Sequence, residues 1–114
     1  DESLPGWPPQ RLFIEPPVRR IVVKPMVAGG LLPALELARQ AREAGMECVI
    51  TSSLESAAGI WAAAQLATVV DRLGTPVCHG LATSDWLQRN LGAPPPLADG
   101  RLLLPPTPGS GFRP

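Results

Sequence analysis

Arg20-Ile21-Val22-Val23-Lys24-Pro25 decides how this chain is read. Three β-branched residues, which favour extended backbone, end in a lysine and a proline that stops the strand. Two similar runs follow, Glu47 to Ser52 and Val77 to His79, at an interval of about 27 residues, with a helical pattern between each pair. That rhythm is βαβ, and it predicts an α/β fold with a parallel sheet. The first helix is expected from about Leu31 to Ala44, entered through Gly29-Gly30, with Pro33 in its first turn and Gly45 as its stop. Leu31, Leu35, Ala38 and Ala41 or Arg42 form the stripe that would face the sheet, leaving Glu36, Arg39 and Glu43 in water. The second helix is expected from about Ser56 to Leu73, stopped by Gly74, with Ile60, Ala63, Ala64, Ala67, Val70 and Leu73 inward.

The ends read differently. Leu4 to Pro17 holds five of the fifteen prolines and is expected to be loop, with no regular helix beyond a turn. Ser84 to Leu91 has a short helical pattern, Pro94-Pro95-Pro96 must be extended, and Arg101 to Leu104 is a candidate last strand. Leu102, Leu103, Leu104 and Phe112 imply that the Pro/Gly-rich tail docks on a surface this chain lacks.

Ten basic and ten acidic residues in 114 leave no net charge, which removes the footprint of a nucleic-acid or anionic-membrane binder. The apolar stretch Ala57 to Val70 is broken by Gln65 and carries a helical period, so no membrane span is expected. Asp1-Glu2-Ser3 opens without a basic segment or apolar signal core, so no export signal is expected from it. Cys48 and Cys78 lie in strand-like runs without a CxxC pattern, and both are expected as buried free thiols.

Lys24 is the only lysine beside nine arginines. Lysine offers what arginine cannot, a compact charge and a proton that can be lost, and strand carboxyl ends are where α/β proteins collect chemistry. Taken alone, a solvated strand-end residue in a lysine-poor chain is the more economical reading. Glu55 and Ser56 read as the start of a helix, the carboxylate at the positive end of its dipole. His79 either faces the site or packs, packing being the more economical reading, and one histidine cannot build a transition-metal cluster.

Five ordered motifs shift that balance. Val22-Val23-Lys24-Pro25, Gly29-Gly30, Val49-Ile50-Thr51-Ser52-Ser53-Leu54-Glu55-Ser56, His79-Gly80-Leu81-Ala82-Thr83, and Asp99-Gly100 with Pro108-Gly109-Ser110-Gly111 together resemble the C-terminal half of the o-succinylbenzoate synthases, in the enolase superfamily. The resemblance implies a partial (β/α)8 barrel over residues 1–91, roughly its last three βα units, and a tail, 92–114, that would contact a capping domain. It implies Mg2+ as cofactor, with Asp1 as one carboxylate ligand. It assigns Lys24 to charge stabilisation of an anionic intermediate, Thr51, Ser52 and Ser53 to the substrate's succinyl carboxylate, and Gly80 to close backbone approach. The implied reaction is Mg2+-dependent dehydration of 2-succinyl-6-hydroxy-2,4-cyclohexadiene-1-carboxylate in menaquinone or phylloquinone synthesis, in the cytoplasm or, in a photosynthetic eukaryote, the plastid stroma. Ala82 departs from the family, which often has aspartate there, and Ser110 departs from its late Pro-Gly-Leu-Gly pattern. The family's base lysine and first two metal carboxylates would precede Asp1, and a barrel takes roughly 250 residues. The chain is therefore expected to need the N-terminal half and capping domain as partners, and to be inactive alone. Two other readings stand beside this one: a non-catalytic α/β module that pairs with a partner, and a relative with N-acylamino-acid racemase or dipeptide epimerase activity.

Overall fold

The computed structural model describes residues 3–114. A 3-10 turn at Leu4–Gly6 and a short helix α1 (Pro9–Ile14) precede strand β1 (Arg20–Val23), helix α2 (Leu31–Glu43), strand β2 (Glu47–Ile50) and helix α3 (Ala57–Arg72). The rest is irregular except for a 3-10 turn at Ser84–Trp86 and a hairpin of β3 (Leu97–Ala98) and β4 (Arg101–Leu102). The Leu4–Pro17 stretch thus holds more helix than its prolines suggested. Pro8 and Pro9 fall at the start of α1, where a missing N–H costs nothing, and the other prolines lie outside it.

β1 and β2 pair in parallel, Arg20 with Glu47 through to Val23 with Ile50. Ile21, Val23, Cys48 and Ile50 alternate onto one face and join Ala34, Ala38 and Ala41 of α2 with Ala63, Ala64, Ala67 and Val70 of α3 in a single core. The small alanines let both helices lie close on the strands. The expected α2 stripe was partly misplaced: Ala34 is buried while Leu31 is 43% exposed, so the face is rotated toward the alanines. On α3, Leu73 is exposed and Trp61 and Leu66 are buried instead. Glu36, Arg39 and Glu43 do face water, and they pair with one another; Arg39 and Gln40 hold the Glu36 carboxyl down to about 2.

Glycine sets both ends of α2. Gly29 and Gly30 have φ of 93° and 117°, which L side chains rarely adopt, and they turn the chain from Lys24-Pro25 into the helix. At the other end Gly45 has φ of 76°, its N–H reaches the Arg42 carbonyl, and the Met46 N–H reaches that of Ala41. This is a Schellman stop, with Met46 buried beside Ala41 as the hydrophobic contact that accompanies it.

The third run, Val77 to His79, does not form a strand. It ends in one parallel bridge, Thr51 with Gly80. A continuing ladder would carry the Ile50 N–H to the backbone carbonyl of Cys78. That N–H donates instead to His79 Nδ1 at 3.0 Å, so an imidazole replaces the rung. Cys78 is accordingly exposed, against the expectation of a buried thiol, while Cys48 is buried. The predicted helix at Ser84–Leu91 shrinks to its first turn, and the Arg101–Leu104 strand shortens to β4, which pairs with β3 across Asp99 (φ 50°) and Gly100 (φ 74°). Two successive positive φ values make this the type I′ turn that Asp-Gly favours. No helix among the described residues is long and apolar enough to cross a membrane.

The tail docks on this chain's own α3. Trp61 Nε1 donates to the Ala93 carbonyl, and Gln65 Nε2 to the carbonyls of Gly109 and Ser110. Gly111, at φ 79°, passes so near the Trp61 ring that a Cβ there would lie 2.7 Å from it. Leu102 and Leu104 pack on the core, and Leu103 stays half exposed.

Candidate functional site

The parallel register brings three of the predicted residues into one row. Lys24 follows Val23 as Thr51 follows Ile50, and Thr51 bridges to Gly80. The Thr51 N–H donates to the Val23 carbonyl, the Gly80 N–H to that of Ile50 and the Ser52 N–H to that of Gly80, each at 3.0 Å. Adjacent strands are about 4.8 Å apart, so Lys24 and Gly80 stand about 10 Å from each other across Thr51. All three lie at the carboxyl ends of parallel segments, where α/β proteins place ligands. Because side chains alternate, Lys24 and Thr51 leave the sheet on the face opposite Val23 and Ile50, away from α2 and α3.

Lys24 is half-buried, and its carbonyl accepts the N–H groups of Val27 and Ala28, which ties the residue into the turn before α2. Thr51 carries a buried hydroxyl oxygen with no hydrogen-bond partner. Buried polar atoms are nearly always paired; among the described residues this oxygen and Arg42 Nε are the side-chain atoms of that kind left without a partner. Its methyl end presses on Gly80, where a Cβ would meet Thr51 Cγ2 at 3.0 Å. Glycine is what keeps the row that tight.

Ser52 and Ser53 are engaged differently. Ser52 is 7% exposed, and its hydroxyl lies 2.8 Å from that of Thr83 and 3.3 Å from the Gly80 carbonyl. It is turned into the protein. The Ser53 N–H donates to Glu55 Oε1 at 2.8 Å. Glu55 is also buried, and its other oxygen would lie 2.7 Å from a Cβ on Gly59, so its carboxylate rests over the first turn of α3. Negative charge suits that end of a helix, in keeping with the structural reading of Glu55. Ser56 makes no side-chain cap. The cap comes from Asn90, whose Oδ1 accepts the Ala57 N–H at 2.6 Å.

His79 packs. With Nδ1 accepting from Ile50, the ring proton is on Nε2, which donates to Asp71 Oδ1 at 3.1 Å. Asp71 Oδ1 also accepts the Val77 N–H, so one carboxylate at the end of α3 holds the whole turn into the Gly80 segment. Asn90 and Asp71 were not legible in the sequence, and Thr83, the last residue of the His79–Thr83 motif, was legible there without its partners Ser52 and Ser53. Each acts across a turn or a long loop, and no spacing pattern marks such a partner.

The described geometry does not test the metal assignment. Asp1 lies outside the described residues. Among those described, no group of three or more His, Cys, Asp or Glu residues could hold a metal ion. Glu55 is committed to the Ser53 N–H and the start of α3. A cavity of about 610 Å3 between α3, the 76–82 segment and the hairpin, lined among others by Asp71, His79, Leu81 and Arg101, shares none of the row's residues.

Comparison with known proteins adds the following. The family described as enolase C-terminal domain-like matches residues 2–114. The o-succinylbenzoate synthase of Yersinia enterocolitica serotype O:8 / biotype 1B is 40% identical over 74 residues, 65% of this chain and 22% of that protein. Those of Yersinia pestis strain Pestoides F and Yersinia pseudotuberculosis serotype O:3 strain YPIII are 39% identical over 82 residues, 72% of this chain and 24% of theirs. The chain thus matches about a quarter of the length of these curated relatives. No solved structure matches it.

Proposed function

The chain belongs to the enolase C-terminal domain-like family, and from that premise we propose that it supplies one side of an o-succinylbenzoate synthase site within a (β/α)8 barrel. The observation that carries this reading is the in-register row of Lys24, Thr51 and Gly80 at the carboxyl ends of parallel segments. In the proposed reaction a proton leaves the ring carbon next to the substrate's carboxylate, and the ring hydroxyl departs as water. The Lys24 ammonium stabilises the negative charge that builds up on that carboxylate, an electrostatic role that a half-buried cation fills better than a solvated one. The Thr51 and Ser53 hydroxyls are offered to the distal succinyl carboxylate, and Gly80 leaves room for the substrate beside the backbone. Ser52, turned inward, acts here through the fold.

Mg2+ belongs to the family reading, with Asp1 as this chain's ligand. The described residues form no site for it, and the roles above concern charge and position alone. The general base and the remaining strands would come from the first half of a barrel and its capping domain.

The test mixes this chain with the Yersinia pestis synthase segment that precedes the matched stretch, and follows o-succinylbenzoate formation with Mg2+. Turnover is expected in the mixture only, and Lys24→Ala is expected to lower it by at least about a hundredfold, as removal of one preorganised charge-stabilising group does. Absence of turnover from halves that co-elute as a complex overturns the reading.

A further inference from the structure

We infer that Thr83 is a positioning residue for this site, acting through a chain of hydroxyls that sets the Ser52-Ser53 peptide; the inference rests on the functional reading just given. Thr83 Oγ1 lies 2.8 Å from Ser52 Oγ and 3.3 Å from the Ser53 carbonyl, and Ser52 Oγ lies 3.3 Å from the Gly80 carbonyl. Two hydroxyls own two protons, and three contacts compete for them. The shortest contact takes one. The Gly80 carbonyl already accepts the Ser52 N–H, so the second proton does more at Ser53. The chain then runs from the Ser52 hydroxyl to the Thr83 hydroxyl and on to the Ser53 carbonyl. Ser52 is buried, so water does not replace the link at its hydroxyl, and Ser53 and Thr83 are half-buried.

The consequence is geometric. The Glu55 carboxylate holds the Ser53 N–H from one side, and Thr83 holds the Ser53 carbonyl one atom group further along. Both ends of the residue that offers its hydroxyl to the distal carboxylate are therefore pinned, one from α3's approach and one from the loop after Gly80. Thr83 touches neither the substrate nor the reacting atoms.

Thr83→Val removes the hydroxyl and keeps the shape; Thr83→Ser keeps the hydroxyl. In the mixed enzyme Thr83→Val is expected to raise KM about fivefold, the worth of one hydrogen bond, with kcat within about twofold, because the distal carboxylate is remote from the reacting carbon. Thr83→Ser is expected to restore KM. An unchanged KM in Thr83→Val, or an equal loss in both variants, overturns the inference. The 15N shift of the Leu54 amide, which reports hydrogen bonding at the Ser53 carbonyl, is read on the chain without its partner half. It is expected to move in Thr83→Val and return in Thr83→Ser, and a shift that stays put overturns the inference. That measurement decides Thr83 even where the mixed halves make no product and the functional reading alone falls.

Discussion

From Arg20 to Leu73 the backbone is held mainly by other backbone groups: a parallel ladder, two helices and a Schellman stop. From Pro76 to Pro114 side chains share that work with short turns and one hairpin. Asp71 takes the Val77 N–H, Trp61 the Ala93 carbonyl, and Gln65 those of Gly109 and Ser110, while His79 and Asn90 reach back to the Ile50 and Ala57 N–H groups of the regular half. The difference has a chemical origin. Pro94-Pro95-Pro96 and Pro105-Pro106 have no N–H to give to a ladder, and positive φ at Gly92, Gly109 and Gly111 bends what lies between them. A chain built this way satisfies its polar groups one at a time, against whatever surface it crosses. The surface here is α3, whose first turn leads out of the Thr51–Ser53 segment, so the irregular half steadies the residues that the regular half delivers.

Three experiments would break or sharpen that contrast. The largest effect is expected in the regular half: Ile50→Ala, at a fully buried position, should cost about 2–5 kcal/mol in urea denaturation, most of the stability of a domain this small. Leu103→Ala, at a half-exposed position in the tail, should stay within about 0.5 kcal/mol. Similar costs at the two positions would erase the distinction between packed core and draped strap. Next comes the junction between the halves. His79→Phe keeps the ring's bulk and leaves the Ile50 N–H buried without an acceptor, which should cost about 1–3 kcal/mol. A neutral substitution would mean that the Cys78 carbonyl swings in and that the third strand forms once the imidazole is gone, which hydrogen exchange at Ile50 would reveal.

The smallest effect is chemical. Burial pushes the Cys48 thiol up to about 11, whereas Cys78 is exposed. At pH 8 a thiol reagent should therefore count one fast-reacting cysteine in the native chain and two in denaturant. The linked stability has a definite sign. The unfolded thiol ionises near 9.0 while the folded one keeps its proton, so this contribution is whole below pH 9 and is lost as pH rises toward about 11. Equal native reactivity of the two thiols would place Cys48 outside the packed layer.

Local chemistry made the β1-α2-β2-α3 order legible before any coordinates. Alternation in a β-branched run, alanine-rich helical faces, and glycine at positions that need positive φ all act within a few residues. The same locality put Lys24, Thr51 and Gly80 at strand ends, and parallel register then had only to align them. The Val77–His79 run shows where that reasoning stops. Its residues suit a strand, but whether they become one depends on which acceptor reaches the Ile50 N–H, and a histidine ring held by Asp71 arrives there first. Asn90 at the start of α3, Glu55 at the Ser53 N–H, and the inward turn of Ser52 toward Thr83 are settled in the same way. Periodicity and capping therefore belong to the sequence itself, because they are contests among neighbours along the chain. The satisfaction of each remaining donor is decided by tertiary structure, because its partner is chosen among groups that only folding brings near.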